Sequence, residues 1–112
     1  MTMGMPLVSV IITCYNYGKY IRETVRSVLT STYKNIEIII VDDGSTDNKT
    51  RDVLKKLRNK KIKIIFQENA GLASARNKGI DNSRGKYILP LDADDTIEPA
   101  YIEIAIEILE KD

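Results

Sequence analysis

The sequence contains no histidine. That excludes a histidine general base, a Ser-His-Asp triad and a His-ligated zinc, so any chemistry must run on carboxylates, Arg, Lys, Tyr or backbone groups. Cysteine occurs once, at Cys14, which excludes an internal disulfide and fits a reducing compartment. No stretch approaches the roughly 20 apolar residues that a membrane-spanning helix needs. Residues 1–5 lack the charged start and following apolar run of a signal peptide. A cytoplasmic setting is expected, with the inner face of the membrane open to a longer parent protein. The net charge is only +1, so no overall field points to nucleic acid, and none is expected as a partner. The one local basic run, Lys55, Lys56, Arg58, Lys60 and Lys61, reads as the solvated end of a helix and its turn.

What is present is a regular alternation. Residues 7–13 form a short, mostly β-branched apolar run, which reads as a buried strand. Asn16, Tyr17 and Gly18 break it, and Tyr20, Ile21, Thr24, Val25, Val28 and Leu29 then recur at helical spacing. A second apolar run, residues 36–41, closes on Asp42-Asp43-Gly44-Ser45-Thr46-Asp47, whose latter part carries helix N-cap chemistry. Val53, Leu54 and Leu57 mark a second helix, residues 62–66 a third strand, and Leu72, Ala75, Arg76, Gly79 and Ile80 a third helix. Residues 86–91 form a fourth strand, and Pro99 suits the first turn of a last helix bearing Tyr101, Ile102, Ala105, Ile106 and Leu109. Strand-helix alternation four times over predicts an α/β, three-layer, doubly wound and mostly parallel sheet. The expected strand order is 3-2-1-4. Pro90 cannot donate to a ladder, and that order makes its strand an edge, where it is tolerated. Residues 1–6 are expected to be a disordered start and residues 7–112 the folded domain.

In doubly wound sheets ligands bind outside the carboxyl ends of the strands, at a switch point. The unusual polar residues of this chain sit at those ends: Thr13-Cys-Tyr-Asn16, Asp42-Asp43 and Asp92-Ala-Asp-Asp95. Three carboxylates within four residues repel one another, by roughly 3 kcal/mol for a pair about 5 Å apart at an effective dielectric of 20. A fold tolerates that if the groups face water, take up a proton or share a cation. An all-oxygen set without histidine suits Mg²⁺ or Mn²⁺. The residues alone leave open a solvated acidic turn in which Asp95 or Thr96 caps the last helix. They likewise leave open whether Asp43, Ser45 or Asp47 caps the second helix, or whether the Asp42-Asp43 pair accepts hydrogen bonds from a base or a ribose. Arg76 follows the small residues Gly71, Ala73, Ser74 and Ala75, which permit close approach of a diphosphate, or it pairs with an aspartate. Cys14 reads as a small buried hydrophobe.

Four segments, taken together, resemble the N-terminal, nucleotide-sugar-binding portion of the family-2 glycosyltransferases, which have the GT-A fold. They are Val8-Ser-Val-Ile-Ile-Thr-Cys-Tyr-Asn16, Ile40-Val-Asp-Asp-Gly-Ser-Thr-Asp47, Asn69-Ala-Gly-Leu-Ala-Ser-Ala-Arg-Asn77 and Gly85-Lys-Tyr-Ile-Leu-Pro-Leu-Asp-Ala-Asp-Asp95. Each is degenerate alone, and their order and spacing carry the resemblance. It implies that Thr13 and Tyr15 line the nucleotide pocket, that Asp43, with Asp42, reads the base, usually uracil, and that Arg76 lies near base and phosphates. Asp92 and Asp94 take the place of the family's D-x-D pair, touching ribose and the diphosphate-bound metal, with Asp94 or Asp95 as the direct metal ligand. The implied donor is a UDP-sugar, the cofactor Mn²⁺ or Mg²⁺, the setting polysaccharide biosynthesis, and the acceptor a glycan, lipid or protein. Transfer is expected to invert the anomeric centre.

The family's general base lies past the D-x-D segment. Because the sequence stops at Asp112, after a helical pattern with no Gly C-cap, the base and acceptor site are expected beyond it. The chain alone is expected to bind donor without transferring sugar, and self-association through surface left uncovered is a further expectation. A non-catalytic nucleotide- or sugar-binding module on the same scaffold is the alternative. A receiver domain fits poorly, because its acidic pair follows strand 1. A dinucleotide-binding module lacks its G-x-G-x-x-G turn.

Overall fold

Residues 4–111 are described by a computed structural model of the chain. Residues 1–3, where half of the expected disordered start falls, and residue 112 lie outside the described residues. Met5 and Pro6 are held by side chains: the Met5 carbonyl accepts Asn35 Nδ2 at 2.7 Å, and the Pro6 carbonyl accepts the Tyr33 hydroxyl.

The four apolar runs form strands β1 (Val8–Cys14), β2 (Ile36–Asp43), β3 (Ile62–Gln67) and β4 (Tyr87–Asp92). Between and after them lie helices α1 (Ile21–Leu29), α2 (Asn48–Lys56), α3 (Leu72–Asp81) and α4 (Tyr101–Leu109). The strands build one sheet in the order β3-β2-β1-β4, with every pairing parallel. β4 is an edge, so Pro90, opposite Ile11, lies where a strand proline is tolerated.

Alternation along the central strands divides the core between the two faces. Val8, Val10, Ile12 and Cys14 of β1 and Ile36, Ile38 and Ile40 of β2 meet Ile21, Val25 and Val28 of α1, Leu54 of α2, and Ile102 and Ile106 of α4. Ile11, Ile39 and Val41 face the other way, onto Ala75 of α3. Three layers result, as expected, but unequally filled. On the thinner side α3 sits close to the sheet because position 79 is glycine: a Cβ there would lie 2.4 Å from Ile11 Cγ2. Ile104, Ile108 and Leu109 of α4 remain exposed. Among the described residues no helix is long and apolar enough to cross a membrane.

Two helix starts depart from the sequence expectation or resolve it. Asp47 is the N-cap of α2, its Oδ1 accepting Thr50 N–H at 2.6 Å. The last helix begins at Tyr101, later than Pro99, because the Tyr101 N–H closes a turn onto the Glu98 carbonyl at 3.0 Å. Pro99 occupies that turn, and neither Asp95 nor Thr96 caps the helix.

Candidate functional site

A cleft of about 380 Å³ opens at the carboxyl ends of β1, β2 and β4, within the range of small-molecule sites. Parallel register assembles it. Thr13 lies opposite Asp92, Cys14 opposite Asp42, and Asp43 opposite Gln67. The lining comprises Thr13, Cys14, Tyr15 and Tyr17 from β1 and its loop, Asp43 from β2, Asn69, Leu72 and Ala75 from the approach to α3, and Asp92 and Asp94.

The β1–α1 loop is locked to the β2–α2 loop through Asn16, whose φ of 59° is left-handed. Asparagine tolerates that conformation better than most residues. Its Oδ1 accepts Thr46 N–H at 2.8 Å and Asp47 N–H at 3.2 Å, and its own N–H donates to Ser45 Oγ at 2.8 Å. Tyr15 and Tyr17 are thereby left standing at the rim, 43% and 38% exposed, with Tyr17 edge-on to Tyr20.

The two aspartates ending β2 part company. Asp42 is buried and turned to its own chain, where Ser45 donates to it through both N–H and hydroxyl. It does not line the cleft. Asp43 does, but its carboxylate is heavily engaged. Oδ1 accepts Gln67 Nε2 at 2.9 Å and Ala70 N–H at 2.8 Å, and Oδ2 accepts Gly71 N–H at 3.0 Å and Asn69 Nδ2 at 3.3 Å. Two carboxylate oxygens offer about four lone-pair sites, so the group is close to saturated. Burial pushes its pKa up, yet the hydrogen bonds from Gln67, Ala70 and Gly71 outweigh that and hold the carboxyl below its ordinary range. Gly44 makes the arrangement possible: its φ is +72°, and a Cβ there would lie 2.6 Å from Asn69 N.

The acidic turn after β4 is built in the opposite manner. Asp92, Asp94 and Asp95 are exposed, and one carboxylate oxygen of each lies within 4.8 Å of the others. Among the described residues none of the three carboxylates accepts a hydrogen bond or forms an ion pair. Hard oxygen donors, unneutralised and converging, fit a divalent cation such as Mg²⁺ or Mn²⁺.

Cys14 borders the cleft, but burial, with smaller contributions from Asp42 and Asp47 against a hydrogen bond at the Tyr17 backbone, pushes its thiol up to about 12. Such a thiol is no nucleophile at neutral pH. Arg76 lies in α3 next to Ala75 and outside the lining. Its Nε is buried without a partner among the described residues, an N–H that a bound anion would satisfy.

Thr13, Tyr15, Asp43, Asp92 and Asp94 thus share one cleft, Asp95 joins the acidic group beside it, and Asp42 and Arg76 stand outside the lining. Sequence reading passed over Tyr17, Gln67, Asn69 and Leu72. Asn69 and Leu72 lie in one of the four distinctive segments, which is the signal that could have found them.

Comparison with known proteins adds an independent finding. The profile of the family described as glycosyl transferase family 2 matches residues 9–112. Glycosyltransferase GlyA of Streptococcus pneumoniae is 44% identical over 98 residues, covering 86% of this chain and 14% of that protein. The crystal structure of S. aureus TarS 1-349 in complex with UDP-GlcNAc superimposes with a TM-score of 0.84 at 31% identity, over 93% of this chain and 31% of that one. The mannosyltransferase PcManGT from Pyrobaculum calidifontis, in complex with GDP-Man and Mn²⁺, does so with a TM-score of 0.75 at 26% identity, over 92% and 31%. The chain therefore spans a third or less of each of these proteins.

Proposed function

The chain belongs to glycosyltransferase family 2 and has its α/β GT-A fold; on that premise we propose that its cleft binds a nucleoside-diphosphate sugar, with a divalent cation, for transfer of the sugar to an acceptor. The observation carrying this reading is the contrast at the cleft's edge. Three exposed carboxylates, without partners among the described residues, converge beside a pocket otherwise lined by aromatic and hydrogen-bonding groups. UDP is the proposed nucleotide, supported by the nucleotide bound in S. aureus TarS.

Tyr15 and Thr13 flank the base and ribose, and Tyr15 offers an aromatic face at the rim. Asp43 reads the base. Its Asn69 bond is the longest of its four at 3.3 Å, and the same Asn69 Nδ2 already donates to the Asp43 carbonyl at 2.9 Å. A uracil N–H replaces that bond with the least loss, because Asn69 keeps a partner. Arg76 supplies to the diphosphate its Nε, which has no partner among the described residues. Asp92 accepts from ribose, while Asp94 and Asp95 hold Mn²⁺ or Mg²⁺. A cation held there would supply positive charge against the negative charge developing on the departing nucleoside diphosphate. Transfer proceeds with inversion. No residue of the cleft is assigned as the base that activates the acceptor.

Calorimetric titration with UDP, with Mn²⁺ and with chelator, tests the reading. Binding that requires Mn²⁺ and is lost in Asp94→Ala is expected. Equal affinity with and without metal, in a chain shown by circular dichroism to be folded, would overturn it.

A further inference from the structure

Ala93, the residue between Asp92 and Asp94, is fully buried while both neighbours are exposed. Its two backbone polar groups are fixed from outside the turn. The N–H donates to the Thr13 carbonyl at 3.2 Å, and the carbonyl accepts Thr24 Oγ1 at 2.6 Å. Thr24 lies on α1, 69 residues earlier, and is 1% exposed. Its hydroxyl has one proton and two acceptors in reach. The usual helix partner, the Tyr20 carbonyl four residues back, is at 3.4 Å, so the shorter bond to Ala93 takes the proton.

Thr24 shares the buried face of α1 with Ile21, Val25 and Val28, and valine has the same shape as threonine. A hydroxyl in that position is explained by the carbonyl it satisfies. The same side of the molecule fixes the rest of the segment: Ser27 Oγ accepts Ile97 N–H at 3.2 Å, and Thr32 N–H and Oγ1 both donate to the Pro99 carbonyl, at 2.8 and 3.1 Å. Only the Thr24 bond falls inside the carboxylate cluster.

We propose that Thr24 is a positioning residue for the cation site: by fixing the Ala93 peptide it turns the carboxylates of Asp92 and Asp94 outward together. The inference rests on the reading of the acidic turn as a cation site. Removing the hydroxyl lets the Ala93 peptide rotate, and the two carboxylates no longer converge. Partners of this outer kind typically contribute about 10- to 100-fold in metal affinity.

The test is Mn²⁺ binding to the chain by electron paramagnetic resonance, with hydrogen exchange over residues 92–97 measured in parallel. Thr24→Val is expected to weaken Mn²⁺ binding about tenfold, the low end of that range, and to speed exchange across 92–97. Thr24→Ser restores Mn²⁺ binding. If Thr24→Val does not fold, Thr24→Cys, a weak donor, takes its place. Ser27→Ala serves as a control for general loosening of the segment and is expected to leave Mn²⁺ affinity in place. A lowered melting temperature with unchanged Mn²⁺ affinity would reduce Thr24 to a packing role and overturn the proposal. Absence of Mn²⁺ binding in the unsubstituted chain would remove the cation site itself, a separate failure that is visible before any variant is made.

Discussion

Two strand ends of this sheet carry aspartates at equivalent places, and the fold treats them in opposite ways. At the end of β2, Asp42 and Asp43 are buried and every carboxylate oxygen accepts hydrogen bonds. At the end of β4, Asp92, Asp94 and Asp95 are exposed, without such partners among the described residues. The difference follows from the strand order. β2 lies between β1 and β3, so the loop leaving β3 delivers donors to Asp43. β4 is an edge with a neighbour on one side only. A carboxylate at a strand end is a candidate cation ligand only if its neighbours leave it spare.

The largest expected effect lies on the spare side. Asp94→Ala should lower Mn²⁺-dependent UDP affinity by about 100-fold or more, about 2.7 kcal/mol, while thermal stability changes by no more than about 0.5 kcal/mol. On the committed side the expectation reverses. Asp43→Ala removes an anion that receives four hydrogen bonds and stands before the N-terminus of α3, whose cap residue is Gly71. The loop's amides can turn to water, so the loss in denaturant unfolding should be about 2–3 kcal/mol, not the sum of four charged bonds. If both variants lost stability alike, the contrast between the two strand ends would collapse.

How far the sequence foretold this contrast depends on the range of the interactions. The apolar runs, the edge proline and the parallel order are encoded locally or by simple topology, and all were legible. That Asp43 ends a strand at the carboxyl edge of the sheet was legible too. Its saturation was not, because its donors lie 24 to 28 residues downstream in a loop whose path only the fold defines. Asp42 looked identical to Asp43 on paper, yet Ser45, three residues on, takes up its oxygens. Pro99 misled for a local reason, since proline fits the turn before a helix as well as the first helical turn. The bond between Thr24 and Ala93 spans 69 residues and left no trace in either segment.

Acid sharpens the comparison less dramatically. The pKa of Asp43 is lower folded than unfolded, so the unfolded chain binds protons more readily there. The stabilisation from Asp43 is therefore present above the ordinary aspartate value of about 3.9 and is lost as pH falls through the lower, folded value. Asp43→Asn should flatten the acid limb of the stability curve below about pH 4, read by urea unfolding at a series of pH values. The limb should not vanish. Asp47 is also held low by its hydrogen bonds from Thr50, and in Glu37 burial is outweighed by bonds from Ser9 and the Arg84 backbone. A limb as steep in Asp43→Asn as in the parent chain would mean that the loop's donors contribute nothing to holding this carboxylate charged.

The smallest effect concerns what an unneutralised cluster does to the fold that carries it. Oxygens within 4.8 Å of one another, with water between and around them, repel by about 0.9 kcal/mol per pair at a dielectric near 80, and by less in salt. Asp95→Asn removes one member without removing any hydrogen bond of the three carboxylates. It should raise the melting temperature slightly in low-salt buffer, and the gain should fade as salt is added. A cation bound by the cluster provides the same relief, so Mn²⁺ should raise the melting temperature of the parent chain more than that of Asp95→Asn. Stabilisation by Mn²⁺ that is equal in the two chains would take Asp95 out of the cation site and leave the D-x-D pair alone to hold the metal.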